Sequence, residues 1–340
     1  KSKSKNNIIF KNNIQINTKN MNFNNDEKQM IANKIKCISE IDMKNDYEML
    51  KKMVAEANTN TNTNTNAAAV AVEFNERCRV GNNVVDFFTF RERLETRGKY
   101  NINFFDFIEN IEEFKKKKFI QTMLTYYKTT KNARGLKNDY IVLKEVYNIC
   151  ISAINIFRPL VAVEVYQRFK PTRILDFSAG WGGRAVGAAV CNMAYFGIDI
   201  NAALYDAYNN MSAFLNDSSG SNSNSINMII ADAVSFDYST ISPGYDMVFT
   251  SPPYYFIEKY SHNKNYASKN EMDKDFYIPV FSNTFKHLLP GGHFILNINK
   301  EIYQRVCLAL FGPAEQTMNC KKSSRQNNYR EMIYIWKKKL

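Results

Sequence analysis

From residue 171 onward, short apolar runs alternate with longer amphipathic ones, and this alternation restricts the fold more than any other feature. "TRILDFSAG" reads as a buried strand ending in glycine, "WGGRAVGAAVCNM" as a helix of small residues, "AYFGIDI" as a second strand and "NAALYDAYNNMSAFLN" as a second helix. After the polar stretch "DSSGSNSNS" come a third strand, "INMIIADAVSF", and a fourth, "YDMVFTS". "DKDFYIPVFSNTFKHLLPGG" reads as a helix closed by a Pro-Gly-Gly stop. "HFILNIN" is a fifth strand, "EIYQRVCLALFG" a helix, and "AEQTMNC" and "REMIYIWKK" two final strands. Regular strand–helix alternation predicts a parallel sheet with helices on both faces. The last two strands follow each other without a helix and are expected to pair antiparallel at one edge. The predicted class is α/β and Rossmann-like: a mostly parallel seven-stranded sheet with an antiparallel C-terminal edge, plus a mainly helical N-terminal extension.

The N-terminal half has a different texture. Residues 1–25 are rich in Lys and Asn and read as a mobile basic arm, and residues 26–57 as a helical segment. The repeat "NTNTNTNTNAAAVAV" has no packing content, so residues 58–70 read as a low-complexity linker. Residues 71–165 are rich in Phe and Tyr and mostly helical by pattern, a candidate target-recognition region. Residues 166–340 form the α/β domain. The lysines at 115–118 form a basic run that reads first as a solvated helix face. With 340 residues, 45% hydrophobic, the chain is long enough for a sizeable core. Its net charge of +12 favours a polyanionic partner, nucleic acid before an anionic membrane, although a Lys- and Asn-rich codon bias gives the same balance. Six scattered cysteines form no CxxC pair, and His262, His287 and His293 are the only histidines, so no metal-ligand spacing is present. No apolar run approaches the roughly 20 residues of a membrane span. The opening "KSKSKNNIIFKNN" lacks the apolar core of a signal peptide. The expected location is intracellular (cytoplasmic, nuclear or virion-associated), neither secreted nor in a membrane, with free thiols. Oligomeric state is not legible in these residues.

The candidate site lies where strands end. In an open parallel sheet, ligands bind outside the carboxyl ends of the strands. "LDFSAGWGGR" spans the turn from the first strand to the first helix, and Gly180, Gly182 and Gly183 let its backbone turn sharply and approach a ligand. Asp199 ends the second strand, 23 positions after Asp176, a spacing at which nucleoside binders hydrogen-bond ribose hydroxyls. Asp232 ends the third. Each Asp alone also reads as a helix N-cap. No complete GxGxxG spacing is present, which weighs against a dinucleotide.

These residues resemble the class I S-adenosylmethionine-dependent methyltransferases over about residues 171–340, strand order and terminal hairpin included. The resemblance implies S-adenosylmethionine as cofactor. It implies that Asp176, Ala179, Gly180 and Gly182 line the methionine end, that Asp199 binds the ribose, and that Asp232 with Ala233 holds the adenine, with Ser178 and Ile200 as further cofactor-binding residues. The end of the fourth strand, "TSPPYY", resembles the amino-methyltransferase signature of nucleic-acid enzymes, in which Asp, Asn or Ser precedes Pro-Pro-Tyr. The chemistry fits the residues. An exocyclic amine on cytosine or adenine is a poor nucleophile because its lone pair is delocalised into the ring. Acceptors on its two N–H groups draw it toward tetrahedral geometry. Ser251 Oγ and the Pro252 carbonyl are expected to be those acceptors, with Pro253 stiffening the turn and Tyr254 stacking on the base. As a plain structural reading, Pro-Pro is a turn and the tyrosines cover the core. The wording "DFSAGWGGR" followed by "SPPYY" is also similar to methyltransferases of large DNA viruses and phages.

Some features depart from that pattern. Asp176-Phe177-Ser178 stands where Asp-Pro-Phe is common, and no separate recognition domain follows the signature within these residues. The N-terminal region, a partner subunit or low specificity fills that role. Ser251 in place of Asp leans slightly toward cytosine N4. The polar segment after the signature offers Tyr255, Glu258, Tyr260 and Lys264 as nucleic-acid contacts, and "CKKSSRQNNYR" reads as a basic hairpin turn. The leading expectation is base-amine methylation of nucleic acid, DNA before RNA. The alternatives are methylation of an RNA base or of a protein amine or amide, and a non-catalytic nucleic-acid-binding subunit.

Overall fold

The computed structural model describes residues 23–62, 74–98, 100–219, 225–256, 260, 262–320 and 331–340. The basic arm, most of the linker, Glu258 and the basic hairpin turn therefore lie largely or wholly outside the described residues. The chain divides into two units, residues 1–35 with 94–154, and residues 36–93 with 155–340. This division cuts across boundaries drawn from sequence texture. The segment read as helical holds two helices, Asn25–Ile35 and Glu40–Asn62, one in each unit. The second helix continues through Asn58–Asn62, where the repeat had suggested linker.

The smaller unit is helical. Its core gathers Phe104, Phe107, Phe114, Ile120, Val146 and Tyr147, all 1% exposed or less. A reciprocal cap between Asn103 and Asp106 starts its Phe104–Glu109 helix. Arg97 pairs with that same Asp106 at 2.6 Å, and Tyr147 donates to the Ile102 carbonyl at 2.9 Å.

The larger unit is built on seven strands: β1 (Arg173–Asp176), β2 (Ala194–Asp199), β3 (Ile226–Ile230), β4 (Tyr245–Thr250), β5 (Leu288–Ile298), β6 (Gln316–Asn319) and β7 (Met332–Lys337). Their order is β3-β2-β1-β4-β5-β7-β6. β1 to β5 are parallel, and β7 is antiparallel to both β5 and β6. The Rossmann-like class and its antiparallel edge are as expected from sequence. Burial alternates with period two, because successive strand side chains face opposite sides. Ile174, Met247, Phe249, Ile295, Ile333 and Ile335 fall in one core, and Leu175, Val248, Leu296, Tyr334 and Trp336 in the other. Met43, Tyr47 and Leu50 of the Glu40–Asn62 helix belong to the first of these cores, and Tyr47 meets Phe214 of the Tyr205–Ser219 helix edge-on at 5.2 Å, so a helix from before the linker packs on the helical layer of this unit.

One element begins earlier than its sequence suggested. The helix ends at His287 and β5 starts at Leu288, so Pro290-Gly291-Gly292 lies within the strand. The pairing of β4 with β5 jumps from Tyr245–Leu288 to Met247–His293. The extra residues form a bulge, with Gly291 at φ +76°, and the Gly291 N–H and Gly292 carbonyl bond to Lys338. Among the described residues no helix is long and apolar enough to cross a membrane.

Candidate active site

β1 lies between β2 and β4, which brings the glycine turn and the Ser-Pro-Pro-Tyr segment to adjacent strand ends. At the glycine turn the backbone is shaped by what cannot fit. A Cβ on Gly183 would stand 1.8 Å from the Phe157 carbonyl oxygen, and one on Gly182, at φ +81°, would stand 2.5 Å from the Met211 sulfur. Gly180 is also left-handed, φ +57°, but a Cβ there would meet nothing nearer than 3.9 Å. Its Cβ side thus faces open space while its neighbours are packed, as a ligand cradle requires, although its carbonyl accepts from the Tyr208 hydroxyl at 2.6 Å. The turn is tied to β2 by the Ala179 N–H on the Ile198 carbonyl and by the Gly180 N–H on Asp199 Oδ2, at 2.9 and 2.8 Å.

Asp176 departs from its expected role at the methionine end. It is fully buried, and its carboxylate is committed inward. It accepts from Arg184 Nε at 2.5 Å and Nη2 at 3.2 Å, from the Tyr195 hydroxyl at 2.5 Å and from the Ser178 N–H at 3.2 Å. Arg184 also donates to the Ser178 carbonyl. Burial works against the charge on Arg184, but Asp176 beside it holds the guanidinium protonated. Asp176 and Arg184 are therefore a clamp beneath the turn, and Ser178 is its upper attachment. Sequence reading missed Arg184 because nothing in "WGGR" announces a buried arginine.

Asp199 is half-buried and accepts from the Gly180 and Asn201 N–H groups, at 2.8 and 3.0 Å. Burial raises its carboxyl above the usual range, and the two backbone bonds and His262 act in the opposite sense. His262 is itself lowered by burial and partly restored by Asp199. Ile200, beside it, is 41% exposed, an apolar side chain standing open at the strand end. Asp232 is exposed and accepts from the Val234 N–H at 2.9 Å in a local turn, not as a helix N-cap, since the next helical turn starts at Tyr238 with Asp237 as its cap. Ala233 is buried, its carbonyl taking the Tyr238 hydroxyl at 2.7 Å. Burial, then the carboxylates of Asp232, Asp275 and Glu271, push Tyr266 up to about 12.

The Ser-Pro-Pro-Tyr segment is shaped by side chains from distant elements. β4 pairs with β5 through Thr250–Leu296, which puts Ser251 beside Asn297. The Ser251 hydroxyl donates to Asn297 Oδ1 at 3.1 Å. Tyr254 corrects its expectation as a base platform. It is 7% exposed, and its hydroxyl reaches the Asn297 carbonyl at 3.1 Å and the buried Glu331 carboxylate. Tyr255 also departs from its reading as a nucleic-acid contact. It is 4% exposed at φ +33°, donates to Asp273 at 2.5 Å and receives Arg305 at 3.2 Å. Its N–H donates to the Tyr277 hydroxyl at 3.2 Å, and Tyr277 donates to the Pro253 carbonyl. Two π-helical turns, Asp273–Tyr277 and Tyr303–Cys307, carry Asp273, Tyr277 and Arg305. Such turns are frequent at functional sites.

The remaining sequence candidates come from the segment after the signature. Tyr260 stacks on His262, with ring centroids 5.5 Å apart. Lys264 is exposed, 3.4 Å from Asp275. Glu258 lies outside the described residues.

No protein-family model and no curated protein matches the chain. Its fold is similar to those of several solved structures. TrmN from Thermus thermophilus is 17% identical over 54% of this chain and 49% of that one, with a TM-score of 0.36. An rRNA methylase from Streptococcus thermophilus is 12% identical over 55% and 100%, TM-score 0.35. The N-methyltransferase NodS from Bradyrhizobium japonicum WM9 is 12% identical over 50% and 87%, TM-score 0.33. The match thus spans about half the length of the Thermus protein. At these identities the similarity is one of fold and gives no residue a role.

Proposed function

We propose that the protein transfers a methyl group from S-adenosylmethionine to the exocyclic amine of a base, cytosine N4 or adenine N6, in nucleic acid. The observation that carries the reading is the adjacency at the ends of β1, β2 and β4. Gly180, open on its Cβ side, and Asp199 stand at one side, and Ser251-Pro252 at the other. The residues fit an adenosyl cofactor. Asp199 offers a carboxylate to a ribose diol, Ile200 an exposed apolar face, and Gly180 open space where a Cβ would stand. When bound, S-adenosylmethionine supplies an electrophilic methyl group on a sulfonium sulfur.

The chain's own residues would hold and orient the amine. Ser251 Oγ accepts one N–H and the Pro252 carbonyl the other, drawing the nitrogen lone pair out of conjugation. Tyr277 fixes the turn through the Pro253 carbonyl. Asp176 and Arg184 fix the glycine turn from below. DNA is the proposed polymer and RNA its competitor, with the net charge of +12 supporting a polyanion.

The test is nucleoside mass spectrometry after incubating the protein and S-adenosylmethionine with mixed DNA and, separately, mixed RNA. N4-methylcytosine or N6-methyladenine is the expected product, and the sample holding it names the polymer. A protein that binds the cofactor yet methylates neither polymer would contradict the reading and favour a protein amine or amide. Failure to bind the cofactor would favour a non-catalytic subunit.

A further inference from the structure

We infer that Asn297 is a specificity-determining positioning residue. It turns Ser251 into an obligate acceptor, so that the site takes a group bearing N–H and refuses a carbonyl oxygen in the same place. The inference rests on the amine reading above and adds what enforces it.

A serine hydroxyl is ambivalent, because it donates one hydrogen and accepts on two lone pairs. Left free, it would rotate to suit an amine or a carbonyl, and only the Pro252 carbonyl would tell cytosine from uracil, or adenine from hypoxanthine. Here the hydroxyl is not free. Its hydrogen lies on Asn297 Oδ1 at 3.1 Å. An amide could flip and offer its NH2 instead, but Asn297 Nδ2 donates to the Met332 carbonyl at 3.2 Å. That carbonyl belongs to β7, paired with β5 at the adjoining position, and it can only accept. Asn297 is 1% exposed, so water does not compete for either end. The polarity runs one way: Met332 carbonyl, Asn297 amide, Ser251 hydroxyl. What remains at Ser251 is lone pairs. An N–H group meets them well. A carbonyl oxygen would meet acceptor with acceptor, and a desolvated unpaired acceptor is costly.

The experiment measures equilibrium binding of two nucleoside pairs, deoxycytidine against deoxyuridine and deoxyadenosine against deoxyinosine. The protein is first saturated with S-adenosylhomocysteine, so that the adenosyl pocket is filled. Wild type is expected to bind the amino member of at least one pair about tenfold more tightly or better, a difference of about 1.4 kcal/mol. Asn297→Ala frees the Ser251 hydroxyl and should lower that ratio severalfold, leaving the part that the acceptor-only Pro252 carbonyl carries, with cofactor affinity retained. Because Asn297 is buried, its variant is checked by thermal melting. Ser251→Ala approaches the same point from the half-buried side and should lower the ratio to a similar degree. The double variant should then add nothing, since both act through one hydrogen bond. A folded Asn297→Ala, or a Ser251→Ala, that keeps the wild-type ratio overturns the inference and leaves the amine reading standing. A wild type that prefers neither amino member overturns both.

Discussion

The two sides of the candidate site are held in shape by different means. At the glycine turn the constraint lies in the backbone. Gly182 and Gly183 occupy places where a Cβ would strike Met211 or the Phe157 carbonyl, and one buried clamp, Asp176 with Arg184, supports the turn within eight residues of chain. At the end of β4 the backbone is awkward in its own right. Tyr255, a bulky residue, sits at φ +33°, a conformation that costs on the order of 1–3 kcal/mol and persists only when neighbours over-determine it. Those neighbours come from afar: Tyr277, Asp273, Asn297, Arg305 and Glu331. A ligand cradle can be written into local glycines. A rigid acceptor pair at Ser251-Pro252 needs side chains from four separate elements.

The largest expected effect breaks the clamp. Arg184→Met leaves Asp176 buried without its cation, and such losses cost about 3–5 kcal/mol. Thermal melting should show a clear drop, and an unchanged melting temperature would mean that the clamp is not structural. Next is Gly183→Ala, which must displace the Phe157 backbone. Overpacking of this kind costs about 1–3 kcal/mol, and the same melting assay reads it. Tyr277→Phe removes the hydroxyl that joins the Pro253 carbonyl to the Tyr255 N–H, a loss of about 1–3 kcal/mol. It sharpens the comparison, because methyl transfer should fall more than cofactor affinity does, as kinetics and titration calorimetry together would show.

The smallest effect is Asp199→Asn, expected to weaken cofactor binding about tenfold. Its pH dependence carries the sign. Burial raises the Asp199 carboxyl above the usual range, so protonation begins at a higher pH than for an exposed carboxylate. Protonation removes a charge-bearing acceptor from the diol, so wild-type affinity should decline as pH falls through that raised value. Asp199→Asn has no proton to gain and should show no such decline.

This asymmetry also explains what could be read from the sequence. The sheet was legible because strand and helix alternate with clean periodicity from residue 171 onward, and the terminal pair lacks a helix between its strands. The glycine turn, Asp199 and "SPPYY" were legible because their chemistry is local. Asn297 was not. It appears only as a polar residue inside the apolar run "HFILNIN", and its meaning depends on the β4–β5 register. Glu331 and Arg305 gave no signal, since ordinary charged residues become buried partners only through tertiary packing. Tyr254 and Tyr255 were assigned outward because aromatics after a double proline suggest a platform. The loop instead folds back and buries both rings. That the helix before the repeat packs with the α/β unit was not legible, because a low-complexity repeat reads as a linker wherever it falls.

The most direct test of the two-sided site separates binding from transfer. Titration calorimetry with S-adenosylmethionine, paired with radiolabelled methyl transfer to the polymer identified by nucleoside analysis, would compare Asp199→Ala with Ser251→Ala. The account predicts that Asp199→Ala loses cofactor affinity. Ser251→Ala should bind the cofactor as wild type does and lose most of its transfer. Equal loss of cofactor affinity in both variants, or full transfer by Ser251→Ala, would contradict it.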